Sequence, residues 1–281
     1  MNALLLITTL ICLTLREVAG KAYTKRITGG VYTYTTLAGL GTILFFLITS
    51  GNLDFQPGIL PYAVWFGVSY LLSGIFLLNA IAVGSLSITA LVTNCSLIMP
   101  TLYGLIFLQE KGSLFLYSGI ALLIAALVLV NKPSVTSPVT GKWLLYVTIA
   151  FLGNGMCTIS QKAQQVAFAG AGKNELMILA LGIVVGVNLV LAVLYERKQF
   201  KTFAKTAMLT GFPGGLSNGV VNLFVMIMLG RMPTSTVFPL ISGGGIVLTH
   251  VVSRVFYKEK LSGGQTAGFI LGILSVVLLN L

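Results

Sequence analysis

From Ala3 to Leu281 the chain is a succession of apolar stretches, most near the length of a membrane crossing, separated by gaps too short to fold by themselves. A hydrocarbon core of ~30 Å asks for about 20 mostly apolar helical residues, each rising about 1.5 Å. Ten stretches fit: 2–22, 31–49, 60–81, 86–108, 114–131, 143–161, 174–195, 208–230, 235–256 and 264–281. Only 8% of the 281 residues are charged, where a soluble domain carries about 25%. With 56% hydrophobic residues and a mean hydropathy of +0.98, no soluble fold encloses so much apolar surface. The expected fold is all-α and integral to the lipid bilayer, because a chain in lipid must satisfy its own backbone.

The charge balance, 17 Lys and Arg against 6 Asp and Glu, suggests a nucleic-acid binder only until the positions are read. The basic residues sit in brief loops rather than on one face or tail, so they act as topological signals and no nucleic-acid partner is expected. Loops after odd-numbered stretches carry twelve of them, including Lys25, Arg26, Arg197, Lys198, Lys201 and Lys205; loops after even-numbered ones carry four. That bias places the odd loops in the cytoplasm and both termini outside, in a plasma (inner) membrane. Ala3 to Leu15 resembles the apolar part of a secretory signal without its basic segment, and is read as the first span. Cys12, Cys95 and Cys157 all fall within spans, at spacings that build neither a disulfide framework nor a zinc site. They read as small buried apolar residues. No Walker loop, dinucleotide fingerprint, metal spacing or catalytic triad occurs, so neither enzyme activity nor a cofactor is expected.

The chain is built twice. At an offset of 149 positions Glu110-Lys111 falls on Glu259-Lys260, Ser113 on Ser262, Gly119 on Gly268 and Asn131 on Asn280. Of the 41 residues from Leu91 to Asn131, 11 are identical at that offset without a gap. Chance inflates matches of Leu and Val; it does not supply Glu, Lys, Ser, Gly and Asn in register. A Pro- and Ser-containing loop, 132–142, separates a first five-helix repeat, 1–131, from a second, 143–281. Five is odd, so consecutive copies cross in opposite senses. Ten transmembrane helices in two inverted repeats are expected, with a site between the copies near mid-membrane and alternating access.

Leu108-Gln-Glu-Lys111 leading to Ser118-Gly119, and Tyr257-Lys-Glu-Lys260 leading to Ala267-Gly268, stand before the last span of each copy. With ten spans and the duplication, they make the chain resemble, over its whole length, EamA-like members of the drug/metabolite transporter superfamily. The first span, Leu15-Arg-Glu-Val-Ala-Gly-Lys-Ala-Tyr-Thr-Lys25, is similar to the first helix of the small multidrug resistance transporters, with Glu17, Val18, Gly20 and Lys25 at the matching positions. In that family the glutamate is where protons and cationic substrate compete, and Arg16 departs from the pattern. In the second copy Asn154 lies eight residues before Lys162, as Glu17 lies eight before Lys25. An amide stands where the acid would be.

A carboxylate in hydrocarbon must be paired, neutralised or turned to a cavity, which makes Glu17 the sharpest candidate for substrate binding and proton coupling. The plainer reading pairs it with Lys21, one turn on. Arg16 lies about 100° around the helix, where it snorkels to the headgroups or enters the cavity. In the cavity it makes a carboxylate-bearing substrate natural, because guanidinium grips carboxylates bidentately. Mid-span polar and aromatic residues complete the candidates: Trp65, Tyr70, Asn79 and Asn218 foremost, since the resemblance puts the third and eighth spans beside the repeat interface. Asn94, Tyr103, Asn188, Asn222 and His250 come behind them. Gly182/Gly186, Gly215/Gly219 and Gly264/Gly268/Gly272 read as close helix contacts. Ser242-Gly-Gly-Gly245 reads as a flexing point or a tight crossing.

These features lead to a secondary transporter that moves a small amphipathic metabolite or drug, amino acid-like, aromatic or cationic, with protons as a second partner, as a monomer or weak dimer. A gradient-driven uniporter or exchanger of a sugar or amino acid is the alternative within that class. Outside it stand a membrane sensor or assembly subunit and a lipid-modifying membrane enzyme.

Overall fold

The computed structural model describes residues 2–51, 53–96, 98–109, 113–130, 140–232, 234–258 and 262–279. Among them eleven α-helices follow in order: α1 (Asn2–Arg26), α2 (Val31–Thr49), α3 (Leu60–Val83), α4 (Leu86–Cys95), α5 (Ile98–Phe107), α6 (Leu114–Val130), α7 (Gly141–Ala167), α8 (Lys173–Tyr195), α9 (Phe200–Leu229), α10 (Thr234–Tyr257) and α11 (Gly263–Leu279). The described residues form no strand. Glu110, Lys111, Glu259 and Lys260, most of the 132–142 loop, and the side chain of Asn94 lie outside the described residues.

Among the described residues six segments are long and apolar enough to cross a membrane: Val31–Thr49, Pro57–Val83, Ile88–Phe107, Gly141–Ala167, Lys173–Tyr195 and Arg197–Leu229. α1 is as long, but Arg16, Glu17 and Lys21 interrupt its second half; α6 and α11 have 17 residues each. Large apolar side chains face outward, Ile48, Leu194, Leu209 and Val255 each being more than 60% exposed. So apolar a surface suits lipid and not water.

The stretch expected as one helix over 86–108 is broken into α4 and α5. Pro100 removes the N–H that would bond to Ser96, and its ring crowds the same carbonyl. At the break Ser96 Oγ donates to Thr93 O at 2.6 Å, and Met99 N donates to Ser96 O at 2.9 Å. The freed groups are satisfied locally, as a non-helical point inside lipid requires.

Contacts fix the helix directions. α3 and α7 are antiparallel: Ser160 Oγ donates to Tyr62 O at one end, and Gly84 meets Trp143 at the other. α1 and α9 are antiparallel, with Arg16 on Asn218 and Gly30, just past α1, on Phe203. α2 and α9 run parallel, Tyr34 on Gly211, Ala38 on Gly215 and Phe45 on Gly219. α3 and α8 also run parallel, Ile59 on Gly172 and Gly67 on Ala180. α2 and α8 are antiparallel, with Tyr32 on Tyr195 and Gly39 on Val185. Heavy packing also joins α6 to α11, α4 to α10, and α1 to α10.

Small residues permit these approaches, as expected for Gly215 and Gly219. A Cβ on Gly215 would run into the carbonyl of Ala38, and one on Gly153 would stand 2.8 Å from the backbone of Ser69 and Ser73. Gly244 meets Leu10, so the glycine run of α10 forms a tight crossing with α1. Among the described residues Gly182, Gly186 and Gly264 have nothing within 4 Å and make no close helix contact, contrary to the spacing argument. Spacing places glycines on one face; it does not say that a neighbour faces them. Cys95 and Cys157 are buried, whereas Cys12 is half-buried.

Candidate functional site

Residues of α1, α2, α3, α4, α7 and α9 line a cavity with about 90 Å³ open to the centres of water molecules. A single water needs roughly 10–15 Å³ by that measure, so the space admits several waters or a small solute. Arg16, Glu17, Tyr34, Tyr70, Ser73, Asn154 and Asn218 give it polar walls; Leu77, Leu78 and Ile81 line it toward the C-terminal end of α3. A second cavity, about 60 Å³, lies beyond, lined by Leu13, Phe66, Gln161, Asn222 and Phe238. Arg16, Tyr70, Asn154 and Asn218 line both.

Those shared residues form a polar bar. Arg16 Nη1 donates to Asn218 Oδ1 at 3.0 Å, and Asn218 Nδ2 donates to Tyr70 Oη at 2.9 Å. Tyr70 stacks on Phe66, with centroids 5.6 Å apart. Asn222 Nδ2 donates to Asn218 O at 2.9 Å, and Asn222 Oδ1 accepts from Gln161 Nε2 at 2.8 Å, extending the network along α9 to α7. Pro213 lies inside α9 next to Gly214 and Gly215, which line the first cavity.

Glu17 is 3% exposed. Its Oε2 accepts from Thr249 Oγ1 of α10 at 2.7 Å, and its Oε1 lies 3.9 Å from Arg16 Nη2. Lys21 donates to the carbonyls of Ile81 and Gly84, closing the C-terminus of α3. Asn154 Nδ2 donates to Ser96 Oγ at 2.7 Å and reaches Thr93 O at 3.4 Å. Glu17 of α1 thus reaches α10, while Asn154 of α7 reaches the break between α4 and α5.

Of the residues singled out in the sequence, Glu17, Tyr70, Asn154 and Asn218 come together at the cavity, and Arg16 joins them instead of snorkelling. Trp65, half-buried, lines neither cavity, and Asn79 donates to Ile75 O on its own helix. Asn188 likewise bonds to Val184 O, Tyr103 stacks on Phe107, and His250 packs on Phe269 at 4.1 Å. Asn222 belongs to the network. Sequence reading missed Tyr34, Ser73, Thr93, Thr249 and Gln161. Hydroxyls are common in membrane helices, where most bond to their own backbone, so only the register between helices distinguishes these.

Among the described residues no group of three or more His, Cys, Asp or Glu is placed to hold a metal. No family model and no curated protein matches the chain. Solved structures do match, among them a chain described only as "Crystal structure of protein". It is 14% identical, with a TM-score of 0.66, and the match covers 99% of this chain and 95% of that one. At that identity the likeness carries the fold alone: an all-helical protein with several helices fit to lie in a membrane.

Proposed function

We propose that the chain is a secondary transporter of ten spans, two inverted five-helix copies that carry a small molecule through the central cavity by alternating access. The observation that carries this reading is a cavity between the helices with room for a small solute, walled by apolar side chains and by Arg16, Tyr70, Asn154 and Asn218, with the buried acid Glu17 beside them. Helix pairing supports the repeat. Exchanging α1 with α7, α2 with α8, α3 with α9, α4–α5 with α10 and α6 with α11 turns the α3·α7 contact into α9·α1. It turns α2·α9 into α8·α3, and leaves α2·α8, α6·α11 and α4·α10 in place. The contact directions make α1 oppose α7, α2 oppose α8 and α3 oppose α9, which is the relation of inverted copies. Parity agrees with ten: α3 and α7 are antiparallel when α4 and α5 together make one crossing and α6 another.

The larger cavity lies toward the helix ends that carry Lys25, Arg26, Arg197, Lys198, Lys201 and Lys205. By the basic-loop bias that side is cytoplasmic, in a plasma membrane, and the Arg16–Asn218–Tyr70 bar closes the way to the other side. A sensor or assembly subunit has no use for two cavities that adjoin at one polar bar. Glu17 is the coupling acid in this reading, since it alone among the lining residues of the larger cavity takes up a proton from a carboxylate state.

Flux in proteoliposomes tests it. Purified full chain supports substrate-dependent uptake or exchange of a small amphipathic solute, and Glu17→Gln loses the pH dependence. A variant with normal rate and normal pH dependence removes proton coupling and leaves uniport; no flux for amino acids, amines, organic acids or sugars removes the carrier.

A further inference from the structure

Arg16 lines the cavity with a side chain 25% exposed and offers more hydrogen-bonding capacity than the protein takes up. A guanidinium presents five N–H donors in a rigid planar fork. Nη1 is used on the neutral Oδ1 of Asn218 at 3.0 Å. Nη2 stands 3.9 Å from Glu17 Oε1, beyond hydrogen-bond length. Nε is buried and has no hydrogen-bond partner among the described residues. Nε and Nη2 are the two donors of one side of the fork, the edge that matches the two oxygens of a carboxylate. The neighbouring acid does not close that edge, since its Oε2 is held by Thr249 at 2.7 Å.

We infer that this edge receives the carboxylate of a small organic anion, and that the anion and a proton on Glu17 occupy the cavity together. With Glu17 ionised, the charge of Arg16 is already balanced, and an arriving carboxylate adds a second negative charge at short range in a medium of low dielectric. Protonating Glu17 removes that rival and leaves Arg16 uncompensated, and the carboxylate restores neutrality. The remainder of the solute lies against Leu77, Leu78 and Ile81. The inference rests on the carrier reading for its purpose but on Arg16 for its chemistry. It reverses the expectation from the first-helix resemblance, where a cation competes with the proton.

Other ionisable groups around Glu17 come from each helix packed on it. Lys21 of α1 is committed to the carbonyls of Ile81 and Gly84. Tyr34 of α2 and Tyr70 of α3 carry no charge at neutral pH. On α10, His250 packs on Phe269 and Tyr257 donates to Val18 O. α4 brings Thr93 and α9 brings Gly214 and Asn218, none of which is ionisable.

Thermal unfolding of the purified full chain tests the site with benzoate and L-phenylalanine, each beside its amide, and phenethylamine as the cation. The carboxylates raise the midpoint, while the amides and the amine do not. The apparent affinity for benzoate rises as pH falls, by up to ~10-fold per unit, the limit for one linked proton. Glu17→Gln binds benzoate tightly at every pH. Arg16→Lys, which keeps the charge and loses the fork, binds at least ~10-fold more weakly. Asn218→Asp gives Arg16 a competing carboxylate and weakens benzoate at every pH. Stabilisation by the amine instead, equal effects of acid and amide, the same pH dependence in Glu17→Gln, or no effect of either carboxylate overturns the proposal. Carboxylate binding without flux in proteoliposomes keeps the anion site and removes the carrier; flux of amines without carboxylate binding does the reverse.

Discussion

The guanidinium of Arg16 and the amide of Asn218, 202 positions apart in sequence, meet at 3.0 Å where the two cavities adjoin. The amide does two jobs, accepting from Arg16 and donating to Tyr70 at 2.9 Å. Asn218 is 1% exposed, so water does not replace either bond when it is removed. Asn218→Ala therefore lowers unfolding stability by about 2 kcal/mol, the range for buried polar partners left unmet. Tyr70→Phe keeps the ring stack on Phe66 and loses one neutral acceptor, so it costs about 1 kcal/mol. Unfolding in detergent ranks the two, and flux falls more for Asn218→Ala because the bar is open. Equal stability of both variants and the native chain removes the bar as a structural element.

Two glycines in neighbouring helices make opposite predictions. Gly215 of α9 sits against the carbonyl of Ala38, so Gly215→Ala forces parallel α2 and α9 apart and destabilises by about 1–3 kcal/mol. Gly182 of α8 has nothing within 4 Å. Gly182→Ala therefore stabilises by roughly 0.5–1 kcal/mol through helix propensity, with flux unchanged. Unfolding midpoints of the pair decide it; a loss at position 182 matching that at 215 contradicts the helix arrangement.

Glu196, in the turn after α8, accepts from the backbone N of Tyr32 at 2.9 Å and from both the N and Oγ1 of Thr33, at 2.8 and 2.6 Å. An anion at the first turn of α2 satisfies orphan N–H groups and meets the positive end of the helix dipole. Glu196→Ala leaves those donors unmet, lowering stability by about 2 kcal/mol, and Glu196→Gln recovers roughly half. Flux per folded molecule stays normal in both, because Glu196 touches neither cavity. A change in substrate affinity in Glu196→Gln shows that the tie does more than hold α2.

The all-helical, membrane-compatible fold and the buried acid were legible because both follow from composition: apolar runs near a bilayer's thickness make helices, and few reasons exist for a carboxylate inside one; the ends were not, α7 running on to Ala167 and α9 beginning at Phe200. The break at Ser96 was not, although Pro100 is visible four residues later, since a proline also sits within unbroken α9 at Pro213. What differs is the partner, the amide of Asn154 reaching across from α7. Trp65 and Asn79 read as candidates on the same helix as Tyr70, yet Tyr70 meets Asn218 of α9, while Asn79 bonds to its own helix and Trp65 lines neither cavity. Helical periodicity places a residue on a face, and the packing of a second helix decides whether that face meets a cavity, a neighbour or lipid.

At the repeat offset of 149, Ser96 falls on Gly245, so the break in the first copy lies opposite the glycine run that α10 carries unbroken. Asn154 holds the first of these points open, through Ser96 Oγ at 2.7 Å and Thr93 O at 3.4 Å. Asn154→Ala and Ser96→Ala each remove one side of the same hydrogen bond, so their effects on stability are not additive. A double-mutant cycle on unfolding gives a coupling of about 0.6–1.7 kcal/mol, the range for interhelical side-chain hydrogen bonds in membranes. Because the break adjoins the cavity wall at Thr93, both single variants also slow flux, and the double variant slows it no further than the slower single one. Additive losses in stability and rate mean that Asn154 and Ser96 act separately and that the break is set by Pro100 alone, in which case Pro100→Ala restores one continuous helix through 86–107.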